Sequence, residues 1–138
     1  MAGPQVRIEQ AGRRFDPGSD RWVVTWRLTN LADRSLQILV ARLPHRQFRS
    51  EARELTPVPV SPGAGTSLEL PVACREAPGA VVENAFLILR VLHGEEQWRV
   101  LVRMRVTFDS EGGPESTIEV VTAHPVGFSE GRHGDAHE

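Results

Sequence analysis

The chain has 138 residues, 40% of them hydrophobic and 25% charged, with a formal net charge of -2. That is one domain's worth of ordinary globular composition, with no global field to favour nucleic acid or an anionic membrane. Cys74 is the lone cysteine, which excludes an intrachain disulfide.

No apolar run approaches the roughly 20 residues of a membrane helix. The opening MAGPQVRIEQ lacks a basic stretch followed by an apolar one. With the single thiol, these features point to a cytoplasmic location. All 16 basic residues are arginine. Genome composition and selection for planar, bidentate donors both account for that bias.

No sustained i, i+3, i+4, i+7 apolar pattern appears. What recurs is alternation, punctuated by Gly, Pro, Asp and Ser. QVRIEQ reads as a short first strand with Val6 and Ile8 on one side, and DPGSD (16–20) as a turn. RWVVTWRLTN puts Trp22, Val24, Trp26 and Leu28 on one face of a half-buried strand. NLADRS turns the chain into SLQILVARLP, expected to bury Leu36, Ile38 and Val40. HRQFRSEARE reads as a polar connection with room for a short helical turn. LTPVPVSPGAG has too many prolines for a central strand and reads as an edge or extended bridge. TSLELPV is a strand with Leu68, Leu70 and Val72 inward, and CREAPGAVVEN a crossing loop.

AFLILRVLHGEEQWRVLVRMRVTF (85–108) then reads as a hairpin, DSEGGPES as a turn and TIEVVTAHPV as the last strand. Residues 1–128 form the expected single domain, and 129–138 an expected disordered polar tail. Seven or eight short strands predict an all-β, antiparallel sandwich, with a small barrel as the second choice.

The segments WVVTWRLTNLADRSLQIL and VPVSPGAGTSLELPV resemble the strand–turn–strand units of bacterial immunoglobulin-like and fibronectin-III-like modules. The resemblance implies an immunoglobulin-like sandwich, here without the disulfide pair or tyrosine corner of antibody-type domains. It also implies a module that connects, braces or binds rather than catalyses.

In the hairpin, Gly94 and Glu95 suit a type II′ turn. Val91 then faces Trp98, Leu89 faces Val100, Leu87 faces Val102 and Ala85 faces Met104, an apolar set expected in the core. The other face pairs Leu92 with Gln97, Arg90 with Arg99, Ile88 with Leu101, and Phe86 with Arg103. Arg105 is expected opposite Asn84, and His93 opposite Glu96 at an exposed tip. An outer sheet face is ordinarily polar, whereas this one mixes apolar groups with arginine, which is interface chemistry. Three readings stay open. The face is an exposed docking surface; it is covered by the 36–62 connection or the C-terminal segment; or a one-residue slip exchanges the two faces.

Phe86, Ile88, Arg90, Leu101, Arg103 and Arg105 are therefore the partner-binding candidates, for a protein partner or a second copy. ARLPHRQFR gathers Arg42, His45, Arg46 and Arg49 as an anion-binding alternative, although Glu51 and Glu54 follow closely. SPGAGTS lacks the lysine and following helix of a phosphate loop. HGDAH puts His133 and His137 four apart, with Asp135 between them, but Gly134 disfavours the helix such a metal pair needs; His124 lies upstream. No nucleophile elbow appears, Cys74 is expected to be a half-buried packing thiol, and Glu95 and Glu96 read as turn solubilisers. The expectation is a non-enzymatic interaction or scaffold module without metal, cofactor, nucleic acid or membrane. Its alternative is a sandwich that binds a small anion or saccharide, with Arg99, Arg103 and Arg105 as further candidates for that ligand.

Overall fold

Period-two alternation dominates the chain, and the computed structural model, which describes residues 3–55 and 58–126, is all-β. Among those residues the strands are β1 (Val6–Asp16), β2 (Arg21–Asn30), β3 (Leu36–His45), β4 (Phe48–Glu54), β5 (Gly65–Val72), β6 (Val81–His93), β7 (Glu96–Phe108) and β8 (Pro114–Pro125). They form two antiparallel sheets, ordered β1-β2-β5 and β4-β3-β6-β7-β8. The sandwich was legible from the strand pattern. The tail at 129–138, with His133 and His137, lies outside the described residues.

The core fills the space between the sheets. Val24, Trp26 and Leu28 on β2, with Leu70 and Val72 on β5, contribute fully buried side chains. Leu87, Leu89, Val91, Val102 and Met104 meet them from β6 and β7. Trp26 stands edge-on to Phe48, with ring centroids 6.3 Å apart. Its buried indole donates to Ser116 Oγ at 3.2 Å, and Ser116 Oγ donates in turn to Gln10 Oε1 at 2.6 Å. This relay clasps β1 to β8 across the sandwich edge. At the opposite edge Arg49 and Ala73 exchange backbone hydrogen bonds, tying β4 to the end of β5. Apart from such isolated bridges the two ladders stay separate, so the sandwich, not the barrel, describes the pairing.

A second buried polar centre sits where β2 ends. Asn30 is fully buried. Its amide donates to the Arg34 and Val60 carbonyls, and its Oδ1 accepts from Ala32 N. A buried amide with its bonds made costs little and fixes the turn.

Several expectations need correction, and bulges account for half of them. The first strand is longer than QVRIEQ: a register shift at Ala11 lets β1 run on to Asp16. In β3 the register shifts between Ile38 and Val40. Leu39 is the extra residue, so the alternation changes phase. Val40, expected inward, belongs to the outer face, and Ala41 and Leu43 are buried in its place. HRQFRSEARE is not a helical connection. It is the turn and second strand of a β3–β4 hairpin, because Phe48 and Ser50 alternate into the interior. The crossing loop is shorter than expected, since β6 already begins at Val81.

The long hairpin keeps the predicted register from Ala85–Met104 to His93–Glu96. Gly94 has φ +64°, and Glu95 is not among the positive-φ residues, as a type II′ turn requires. Arg105 departs from its expected partner, Asn84. A bulge across Glu83 and Asn84 interrupts the ladder there, with Asn84 at φ +58°. His93 is also corrected: it is 4% exposed, because the inward phase of β6 continues to the strand's end.

Candidate functional site

The register of β3, β6, β7 and β8 writes the outer face of the five-stranded sheet as successive rungs. One rung runs Val40, Arg90, Arg99, His124. The next runs Arg42, Ile88, Leu101, Thr122. A third runs Phe86, Arg103, Val120. Neighbouring side chains along a rung are about 5 Å apart, and rungs are about 6.7 Å apart. Ile88 and Leu101 are thus directly opposed, with a pair of facing arginines on one adjacent rung and Arg103 on the other.

All six partner-binding candidates lie on this face. Phe86, Ile88, Arg90, Leu101 and Arg103 are half-buried and Arg105 is exposed. The described strands of the 36–62 connection do not cover it: β3 and β4 continue the same sheet and widen the face, while the C-terminal segment past residue 126 lies outside the described residues. The alternative register is likewise excluded, since Leu87, Leu89, Val100 and Val102 occupy the core.

Two arginines at one end have carboxylate partners from the strands beside them. Arg105 Nε lies 3.3 Å from Glu83 Oε2, which the bulge at Asn84 delivers. Arg103 Nε lies 3.5 Å from Glu119 Oε1, a charge pair without hydrogen-bond geometry. Arg90 and Arg99 have interactions of their own as well. A guanidinium carries five N–H donors in a planar fork, so such contacts coexist with a further acceptor.

Between β4, β3, β6 and β7 the face sinks into a hollow of about 530 Å³. Arg42, Arg49, Arg90 and Arg99 line it, with Val40, Pro44 and Ile88 among its apolar walls. Glu51 is the one carboxylate among the lining residues, and it is paired with Arg49. The hollow joins residues that the sequence assigned to two separate sites: Ile88 and Arg90 from the hairpin, Arg42 and Arg49 from the proposed anion group.

That anion group is otherwise divided. His45 Nδ1 accepts the backbone N–H of Gln47 at 3.1 Å, which shapes the β3–β4 turn. Arg46 lines a different hollow of about 490 Å³, with Asp20, Cys74 and Arg75. Cys74 is half-buried there, as expected. Burial, and then the Glu76 carboxylate, push its thiol up to about 11, which keeps it protonated and poorly nucleophilic near neutrality.

Two members of the face were missed from sequence. Unbroken alternation along β3 puts Val40 inward. Val120 is 41% exposed, because the β7–β8 register shifts between Arg103 and Met104 and turns it out. Neither bulge has a glycine or proline to announce it. The exposed His124 lies 3.1 Å from Thr122 Oγ1. Among the described residues no group of three or more His, Cys, Asp or Glu is placed to hold a metal ion. Among the described residues no helix is long and apolar enough to cross a membrane. What the face offers chemically is planar, charge-assisted donors set around an apolar centre, which suits carboxylate or phosphate acceptors.

Comparison of the chain with protein-family models and with curated proteins found no match.

Proposed function

We propose that the chain is a non-enzymatic, immunoglobulin-like interaction module, and that it docks a partner protein on the outer face of its five-stranded sheet. The observation that carries this reading is the rung pattern: Ile88 and Leu101 opposed at the centre, arginine on the rungs either side, and Phe86, Val40 and Val120 extending the apolar surface. An apolar centre within a polar rim is the anatomy of a protein interface. The immunoglobulin-like part of the reading is supported by strand order. The orders β1-β2-β5 and β4-β3-β6-β7 match strands A-B-E and C′-C-F-G of such domains, with β8 added beyond G. The lone, half-buried Cys74 fits a cytoplasmic, reducing setting.

The test is the double variant Ile88→Asp with Leu101→Asp. It is expected to keep the wild-type circular dichroism and to lose the protein captured from native-host extract by the wild type. Thr25→Asp, on the opposite sheet, is expected to keep it. Light scattering after size exclusion separates capture of another protein from self-association. Equal capture by wild type and the double variant would refute the reading.

A second reading has its own support. The 530 Å³ hollow with four arginines is of a size that holds a small molecule. Under that reading a small anion or acidic saccharide raises the melting temperature saturably.

A further inference from the structure

The end strand of a sheet carries a row of backbone groups with no strand beside them. Natural sequences guard that row with charge, proline, shortness or bulges. The two sheets here end on β1, β5, β4 and β8, and three of these are guarded. β4 is short and carries Arg49, Glu51, Arg53 and Glu54. β5 contains Pro71, and the bridge between Arg49 and Ala73 ties its end to β4. β1 carries Arg7, Glu9, Arg13 and Arg14 and bulges at Ala11.

β8 differs over the stretch from Val120 to His124. Glu119 and its bulge precede that stretch and Pro125 follows it, but Val120, Val121, Thr122, Ala123 and His124 include no acid, arginine or proline. Among the described residues β8 pairs with β7 alone. Val126 N–H donates to Gln97 O. By alternation His124, Thr122 and Val120 turn their backbone groups toward β7, and Val121 and Ala123 turn theirs outward. At the other end of β8 the outward groups are Pro114 O and Ser116 N–H. The Gln10 side-chain amide takes up both, at 3.0 and 2.7 Å, in place of a neighbouring strand. No described strand does the same for Val121 and Ala123. Their side chains face the core, opposite the buried Val102 and Val100, yet stay only half-buried because the sheet ends there.

We infer that this stretch of β8 pairs with the same stretch of a second copy, antiparallel across a two-fold axis at Thr122. The two five-stranded sheets then become one continuous sheet. The register is self-complementary. Val121 lies opposite Ala123 of the partner subunit, and Ala123 opposite Val121 of the partner subunit. Both are hydrogen-bonded pairs that exchange their N–H and C=O groups. Thr122 faces its own equivalent in a close, non-hydrogen-bonded pair, a favourable cross-strand match. The exposed Val120 meets His124 of the partner subunit, and Glu119 meets Pro125 of the partner subunit, so no like charges oppose. The added strand also covers the open side of Val121 and Ala123. This surface is the edge of the sheet and not its outer face, so the inference stands apart from the docking reading.

The test is light scattering after size exclusion on the full chain, from about 10 μM to about 1 mM. The mass should rise to twice the 15.3 kDa of one chain. Ala123→Pro removes an outward N–H and leaves the β7 ladder whole, so it should keep the wild-type circular dichroism and the mass of one chain. Thr122→Lys sets two ammonium groups against each other at the axis, from an exposed position, and should weaken the dimer about tenfold or more. It carries the test if the proline variant does not fold. Directly opposed Cα atoms in a non-hydrogen-bonded pair are about 4.5 Å apart, within reach of a disulfide. Thr122→Cys should therefore cross-link two chains on mild oxidation, whereas Thr117→Cys, at the end held by Gln10, should not. The Ile88/Leu101 double variant should remain a dimer.

A wild type that keeps the mass of one chain up to about 1 mM would overturn the inference. So would a dimer that Thr122→Lys leaves at full strength, or equal cross-linking of the two cysteine variants. A dimer lost in the Ile88/Leu101 double variant would place the contact on the outer face and overturn it as well.

Discussion

Leu87→Ala and Ile88→Ala, made separately, set two neighbours in one strand against each other. Leu87 is fully buried between the sheets and faces Val102, which is equally buried. Ile88 looks outward and is half-buried. Removing Leu87 takes away its transfer energy and leaves a cavity that two rigid sheets close poorly, at a cost of about 3 kcal/mol. Removing Ile88 loses about half of a full burial term and leaves no sealed void, at roughly 1 kcal/mol. Urea unfolding followed by tryptophan fluorescence reads both, since Trp26 is fully buried in the native state. With a denaturant slope of roughly 2 kcal/mol/M, the midpoint should fall by about 1.5 M for Leu87→Ala and about 0.5 M for Ile88→Ala. Equal shifts, or a larger one for Ile88, would mean that the assigned inner and outer faces are wrong.

Two further predictions concern titratable groups. The Asp109 carboxylate accepts the backbone N–H groups of Gly113 and Glu111 at 2.8 Å each and faces Arg13, and these contacts hold its pKa below the usual carboxylate value. A lowered native pKa gives stability that is present above the unfolded value, near pH 4, and fades as pH falls through the native one. The stability gap between wild type and Asp109→Asn should therefore narrow from about pH 6 to about pH 3 in thermal melts, and a constant gap would contradict this. For Cys74, with its thiol at about 11, iodoacetamide labelling of the native chain should be roughly a hundredfold slower at pH 8 than that of the unfolded chain. Its rate should still be climbing beyond about pH 9, where an ordinary thiol levels off; a plateau there would count against the buried assignment.

What was legible in the sequence follows from where the alternation is unbroken. β2 reads directly, since Val24, Trp26 and Leu28 alternate with more polar neighbours and are all buried. The β6–β7 hairpin reads directly because Gly94–Glu95 pins the turn, and the turn pins every pair up to Ala85–Met104. Bulges were not legible. At Leu39–Val40 the inserted residue and its neighbour are both apolar, so a change of phase leaves the pattern looking the same. β4 was not legible either, since FRSEARE sends only Phe48 and Ser50 inward and its other positions are exposed. Missing β4 hid the hollow. Arg49 and Glu51 cannot be placed beside Arg42 and Arg90 until that strand joins the sheet. His93 is hard to place from sequence for a related reason: closeness to a turn suggests exposure, although its phase along β6 matches that of Leu89 and Val91.

The rung pattern also accounts for the half-buried state of the apolar pair on this face. Ile88 and Leu101 have Arg90 and Arg99 on one side, Arg103 on the other and Arg42 along their own rung. Arginine lays its aliphatic stem along apolar neighbours and keeps its charged head in water. A ring of such stems shades the central pair without sealing it, in keeping with the half-buried state of Ile88 and Leu101. Lysine would shade as well, but its strongly hydrated point charge resists desolvation more than a guanidinium does. On the docking reading, the stems move little, so few rotamers are newly frozen on association. The bulges at Leu39 and Glu119 extend the same logic: each spends one residue to turn a valine, Val40 or Val120, onto a face that unbroken alternation would have denied it.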